Sequence, residues 1–201
     1  MPIQSLTITQ QQGWSKPPNP DPISDEENAM EKRRSLAGET GIFNQDVFQV
    51  LFNYEVNRIQ RYPGPTALLH IALAVDNFSP ELIKKAKYGM ANLLNRILRI
   101  SDVPAHFGDE FLVLLPATDE DGSRAVAERI LGHFRTTQNL AGGRSSKFDA
   151  FVGFTSRGAR DTISAQELLA EAAVAMNEAR LRQSFTYIAY SAIAPDLPKP
   201  K

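Results

Sequence analysis

The chain has 201 residues, with 22 Lys and Arg against 23 Asp and Glu, a formal net charge of −1 and no cysteine. Balanced charge gives no overall field to hold nucleic acid or an anionic membrane. The absence of cysteine excludes disulfides, thiolate metal sites and cysteine nucleophiles. There is room for one domain plus tails, and a domain of that size folds without covalent or metal staples. The opening MPIQSLTITQQQGW lacks the basic and apolar regions of a secretory signal. The longest apolar stretch, Ala67 to Val75, is broken by His70 and is about half a membrane span. The expected location is cytoplasmic, with neither nucleic acid nor membrane as partner.

Residues 1–23 are polar and carry Pro17, Pro18, Pro20 and Pro22, as an extended leader would. Ser24-Asp25-Glu26-Glu27 reads as a capping box opening a short charged helix over 24–37, either a solvated helix or a linker to a partner. From Asn44 to Tyr62, Phe48, Leu51, Phe52, Val56 and Ile59 fall at helical spacing, and Pro63-Gly64-Pro65 ends the run. Thr66 to Val75 reads as a buried strand running out at Asp76 and Asn77. Ser79-Pro80 supplies an N-cap and a first-turn proline for a helix to about Ile100. Its buried face is Leu82, Ile83, Ala86, Met90, Leu93, Leu94 and Ile97, and Lys84, Lys85 and Lys87 are expected on a solvated face.

Val103–Phe107 and Phe111–Leu115 flank Gly108-Asp109-Glu110 at hairpin spacing. A helix is expected over about Asp121–Arg135, a loop over 138–147 and a strand over Phe148–Thr155. Ser164 to Glu167 is a second capping box, opening a helix to about Arg182; a strand at Thr186–Tyr190 and a tail over 192–201 complete the chain. The β-α-β-β-α-β order, with a further α-β unit, defines an α/β (α+β) domain over 38–191, a mixed sheet with helices on its faces.

Three segments together carry a resemblance. They are Glu39-Thr40-Gly41-Ile42-Phe43-Asn44-Gln45 with Phe48, Leu51, Glu55, Arg58 and Arg61-Tyr62; then Arg99-Ile100-Ser101-Asp102 with His106-Phe107-Gly108-Asp109-Glu110-Phe111. The third comprises Ala127-Glu128-Arg129-Ile130, Val152-Gly153-Phe154 and a helix through Ala172, Ala175, Met176, Ala179 and Arg180. Over residues 36–190 they resemble the GGDEF domains, the bacterial diguanylate cyclase family. The resemblance implies a nucleotidyl-cyclase-like fold that condenses two GTP into cyclic di-GMP, one GTP on each subunit of a transient dimer. It implies two divalent cations, Mg²⁺, between a carboxylate at the end of the first strand and one in the hairpin. Metal chemistry on a triphosphate needs such closely set carboxylates.

The chain departs from that pattern at each requirement. Five residues separate Asp102 from Gly108, the family's spacing, so one hairpin glycine is missing. Losing one residue changes the turn and can reverse the facing of Asp109, Glu110 and Phe111. The metal-binding carboxylate of the first strand is matched by Ala74 or Ala72, with Asp76 a substitute ligand or merely a strand-end turn residue. The guanine-reading segment is absent, because Ser79-Pro80-Glu81-Leu82 leads directly into the helix. Arg180 stands where the family has a phosphate-reaching lysine, and is either a phosphate contact or a partner of the helix dipole. Arg99 and Asp102 keep the R-x-x-D spacing of the family's inhibitory site, where an Arg fork and a carboxylate hold cyclic di-GMP; the plainer reading is a helix-closing Arg and a turn Asp.

His70, which interrupts an apolar strand, is expected as a hydrogen-bonded core residue; His106 replaces an arginine of the family, His133 lies on a helix face, and no two histidines have metal-ligand spacing. The expectation is a domain without turnover or catalytic residues, in which the hairpin Gly108, Asp109, Glu110 and Phe111 is vestigial. It would act as a regulatory or protein-interaction module, with another protein or a second copy as partner. The alternatives are a cyclic di-GMP receptor using Arg99 and Asp102, and a residual cyclase rebuilding a Mg²⁺ site from Asp76, Asp109 and Glu110. No cofactor is expected except Mg²⁺ in that last case.

Overall fold

The computed structural model describes residues 40–75, 80–140, 148–158, 161, 164–182 and 185–194. The leader, the helix expected over 24–37 and the Asp76–Ser79 connection lie outside the described residues.

Helix α1 (Gln45–Arg61) begins where Asn44 accepts the Val47 amide at 2.9 Å, satisfying one of the N–H groups a helix start leaves free. Strand β1 (Thr66–Val75) is apolar apart from Thr66 and His70, a composition that suits the middle of a sheet. Antiparallel neighbours flank it: β3 (Glu110–Pro116) on one side and β4 (Phe148–Arg157) on the other. Outside these lie β2 (Val103–Phe107), antiparallel to β3, and β5 (Thr186–Ala189), parallel to β4, giving the order β2-β3-β1-β4-β5.

Alternation along β1 sends Ala67, Leu69 and Ile71 to one face, against Met90 and Leu94 of α2 (Pro80–Ile97) and Ala127, Ile130 and Phe134 of α3 (Glu120–Leu140). Leu68 points to the other face, with Phe48, Phe52 and Val56 of α1 and Leu168 and Ala172 of α4 (Ala165–Leu181). His70, Ala72 and Ala74 therefore share the α1/α4 face, and the hairpin's functional residues must reach that face to meet them.

Several boundaries differ from expectation for local reasons. Helix α2 stops at Ile97 rather than Ile100, because the Asp102 carboxylate takes the Arg99 amide at 2.8 Å and redirects the chain. Helix α3 runs beyond Arg135 to Leu140, through the first residues assigned to the loop at 138–147. Strand β3 includes Glu110 and Pro116, and β4 continues to Arg157. Strand β5 ends at Ala189, where a 3-10 turn, Tyr190–Ala192, carries Ile193 into a cluster with Phe151, Ala175 and Ala179.

Helix α4 lies directly on β4 at Gly153. A Cβ there would stand 1.9 Å from the Met176 nitrogen and 2.5 Å from both the Ala172 oxygen and the Ala175 carbonyl carbon. All three are backbone atoms within a helix, so none can swing aside. Gly153→Ala is expected to cost on the order of 3 kcal/mol, read as a lower urea midpoint. An unchanged midpoint would contradict the close approach of α4 to β4.

Candidate functional site

Phe107 pairs with Glu110, which leaves only Gly108 and Asp109 to close the β2–β3 hairpin. Gly108 has a φ of +60°, as the first central residue of a type II′ turn requires. The short turn separates the two acidic side chains. Asp109 sits at the tip, 89% exposed, with Oδ1 2.5 Å from the Lys87 ammonium of α2. Glu110, the first residue of β3, points to the α1/α4 face instead.

There its Oε2 lies 2.6 Å from His70 Nε2 on β1, while Oε1 faces Arg180 Nη1 of α4 at 3.2 Å. The imidazole is buried, its ring edge-on to Phe107 at 5.8 Å, and Nδ1 has no hydrogen-bond partner. This geometry fits a neutral ring whose Nε2–H donates to the carboxylate. A second proton on Nδ1 would bury a donor with no acceptor. Burial lowers the His70 pKa from its usual 6.5; Glu110 opposes that shift and Arg180 adds to it. The hydrogen bond and positive charge of Lys87 hold the Asp109 carboxyl below its ordinary range.

Asp109, Lys87 and Arg180 rim a cleft of about 290 Å³ whose apolar wall is Leu73, Ala74, Ile83 and Ala86. Of the two alanines at the end of β1 on this face, Ala74 lines this cleft and Ala72 is fully buried. Among the described residues no group of three or more His, Asp and Glu is placed to hold a metal ion. Asp76 lies outside the described residues. With alanine on the strand, Asp109 paired to lysine and Glu110 occupied by His70 and Arg180, the described donors do not fit a pair of divalent cations.

Arg99 and Asp102 occupy the other end of the sheet. Asp102 is buried, and its carboxylate accepts from the Arg99 amide at 2.8 Å and from Ser101 Oγ at 3.5 Å. The exposed Arg99 side chain and Asp102 line a cavity of about 190 Å³ with Pro65, Thr118 and Asp119. Asp119 also caps α3, accepting the Gly122 amide at 2.9 Å.

Lys87 departs from expectation, whereas His70 agrees with it and gains a partner that the spacing does not name. Lys84 and Lys85 are exposed as expected, whereas Lys87 is half-buried and turns to Asp109. His70 was read as a hydrogen-bonded core residue, and its partner proves to be Glu110; the β1 alternation, which puts position 70 on the same face as Leu68, was the available signal. His106 bonds Thr40 at 2.8 Å, and burial with the nearby Lys87 charge lowers its pKa. His133 is exposed on α3.

The central β-α-β-β-α-β unit, with a turn of Gly-Asp before Glu-Phe at its hairpin, gives a mixed α/β domain. Residues 88–184, just under half of the chain, match the family model described as "Diguanylate cyclase, GGDEF domain". The solved diguanylate cyclase SiaD, in complex with its activator SiaC from Pseudomonas aeruginosa, is similar at 22% identity with a TM-score of 0.66, over 83% of this chain and 66% of that one. A microbial GGDEF domain with cyclic di-GMP matches at 20% identity and a TM-score of 0.61, over 79% and 99% of the two chains. The coiled coil and GGDEF domain of DgcB from Caulobacter crescentus, with c-di-GMP, match at 14% identity and a TM-score of 0.63, over 83% and 92%. At these identities the likeness is one of fold. No curated protein matches the chain. No described helix is long and apolar enough to cross a membrane.

The lowered His70 pKa has a stability consequence of definite sign. The unfolded chain takes up the imidazole proton first, so the stabilisation is present at neutral pH and is lost as pH falls below the usual 6.5. His70→Gln keeps an N–H donor for Glu110 without the titration. Its unfolding free energy should fall less steeply than the parent's between about pH 6.5 and pH 5, in urea melts at stepped pH. His106 shares the sign and remains in both proteins, so the slope should shrink without vanishing. An equal slope would mean that folding leaves the His70 pKa unshifted, and a steeper one that the fold favours the protonated ring; either would contradict the lowered pKa.

Proposed function

We propose that this is a GGDEF domain of cyclic di-GMP signalling that has lost turnover and acts in the cytoplasm as a regulatory or protein-interaction module. The observation that carries this reading is the position of Glu110 between His70 and Arg180, below a strand whose metal-ligand positions are alanine. Moving that carboxylate to a cation would leave the buried His70 N–H without an acceptor, a loss of about 1–3 kcal/mol for an unsatisfied group. Solved relatives support binding roles: SiaD is held by its activator protein, and two other neighbours hold cyclic di-GMP.

The Arg99 cavity favours a second reading, a cyclic di-GMP receptor. Arg99, an exposed residue, lines the cavity whose wall includes Asp102. Because Asp102 also shapes the turn into β2, Arg99→Ala is the cleaner variant. Incubation with GTP and Mg²⁺ or Mn²⁺ should give no cyclic di-GMP above a protein-free blank. Cyclic di-GMP production that Asp109→Ala abolishes would overturn the first reading. For the second, saturating cyclic di-GMP at about 100 times its dissociation constant adds roughly 2.7 kcal/mol and raises the melt by several degrees. The receptor reading fails if the parent shows no shift, or if Arg99→Ala keeps it in full.

A further inference from the structure

The outward face of α1 is free of charge along most of its length. Between Asp46 and Arg61 its exposed side chains are Gln49, Val50, Asn53, Tyr54, Asn57 and Gln60. The charged pair in that stretch, Glu55 with Arg58 at 2.7 Å, is internal to the helix and its glutamate is buried. Val50 and Tyr54 stand 69% and 70% exposed. The solvated face of α2, by contrast, carries Glu81, Lys84, Lys85 and Arg96, the usual composition for a helix facing water. A face depleted of charge, with a tyrosine and an aliphatic residue at its centre, has the composition of an interface core.

The spacing identifies the occupant. Asp46, Val50, Asn53, Asn57 and Gln60 recur at steps of four and three, with Tyr54 and Arg61 beside them. They form one seam opposite the buried Phe48, Phe52, Val56 and Ile59. The seam begins with an acid and ends with a base, and neither has an ion-pair partner among the described residues. Two copies laid antiparallel about Asn53 and Tyr54 bring each Asp46 to the other's Arg61, Val50 to Asn57, and Asn53 to Tyr54. A parallel pair would set like charges together at both ends. An antiparallel two-fold seam is self-complementary, as a closed dimer interface must be.

We infer that α1 forms an antiparallel homodimer with a second copy of this chain, the neutral amides pairing across the seam around Val50 and Tyr54. This goes beyond the preceding reading and does not depend on whether the hairpin is inert. One pair of helices about 25 Å long lies at the low end of specific interfaces, so the dissociation constant should be on the order of 10 µM.

Sedimentation velocity of the full chain from about 1 to 200 µM tests this across that constant. The expected result is a monomer–dimer equilibrium that Tyr54→Glu abolishes, with an unchanged circular dichroism spectrum confirming that the variant folds. Arg61→Glu should weaken the dimer roughly fivefold by repulsion from Asp46. Asp46→Arg combined with Arg61→Glu should restore it, which a parallel seam would not do. The parent has no cysteine, so Asn53→Cys supplies a background-free probe that a short bis-maleimide should link between copies, while Asn92→Cys on α2 should stay unlinked. A parent that remains monomeric throughout, a dimer indifferent to Tyr54→Glu, or linkage at Asn92 in place of Asn53 would overturn the inference.

Discussion

A turn of only two residues at Gly108 and Asp109 governs the chemistry of the cleft, because it decides where each hairpin acid points. A strand carries successive side chains to opposite faces, so turn length fixes which face the first residue of β3 serves. Here it places Asp109 at the tip, beside Lys87, and turns Glu110 under the sheet to His70 and Arg180. The two acidic side chains are therefore paired apart, Asp109 with Lys87 and Glu110 with His70 and Arg180. The rest of the site follows: a buried neutral imidazole, an arginine held at the end of α4, and a cleft whose apolar wall includes Ala74.

The hairpin contacts also join parts of the fold. Glu110 links β3 to β1 through His70 and to α4 through Arg180, while Asp109 links the turn to α2. The Asp109 pair is almost wholly exposed on its acidic side, so solvent screens it and its value is positional rather than energetic. Glu110 bonds a buried partner, and an unpaired His70 donor would bear a desolvation penalty. A network of this kind stabilises one arrangement of the hairpin.

Much of this was legible in the residues. The helical stripe from Phe48 to Ile59 and the apolar run from Thr66 to Val75 gave elements that the structure keeps, because each pattern has only one face or one layer to satisfy. The single glycine of the hairpin could be counted in the sequence, and an effect of turn length on facing could be anticipated in kind. Its direction could not, since that depends on the register of β2 with β3 and of β3 with β1. The same holds for Lys87 and His70: each partner lies in a different element, and pairing across elements is set by packing rather than by spacing along the chain. Helix α2 ended early because a side chain, Asp102, captured a backbone amide, a competition that periodicity does not register.

The proposed loss of turnover requires Glu110, held by His70 and Arg180, to stay out of reach of a divalent cation. Titrating the protein with Mn²⁺ in the presence of a non-hydrolysable GTP analogue, with free Mn²⁺ followed by electron paramagnetic resonance, tests it most directly. The expected result is no saturable protein-dependent loss of the free Mn²⁺ signal beyond that of the nucleotide alone. Stoichiometric Mn²⁺ uptake that Glu110→Gln removes would contradict it.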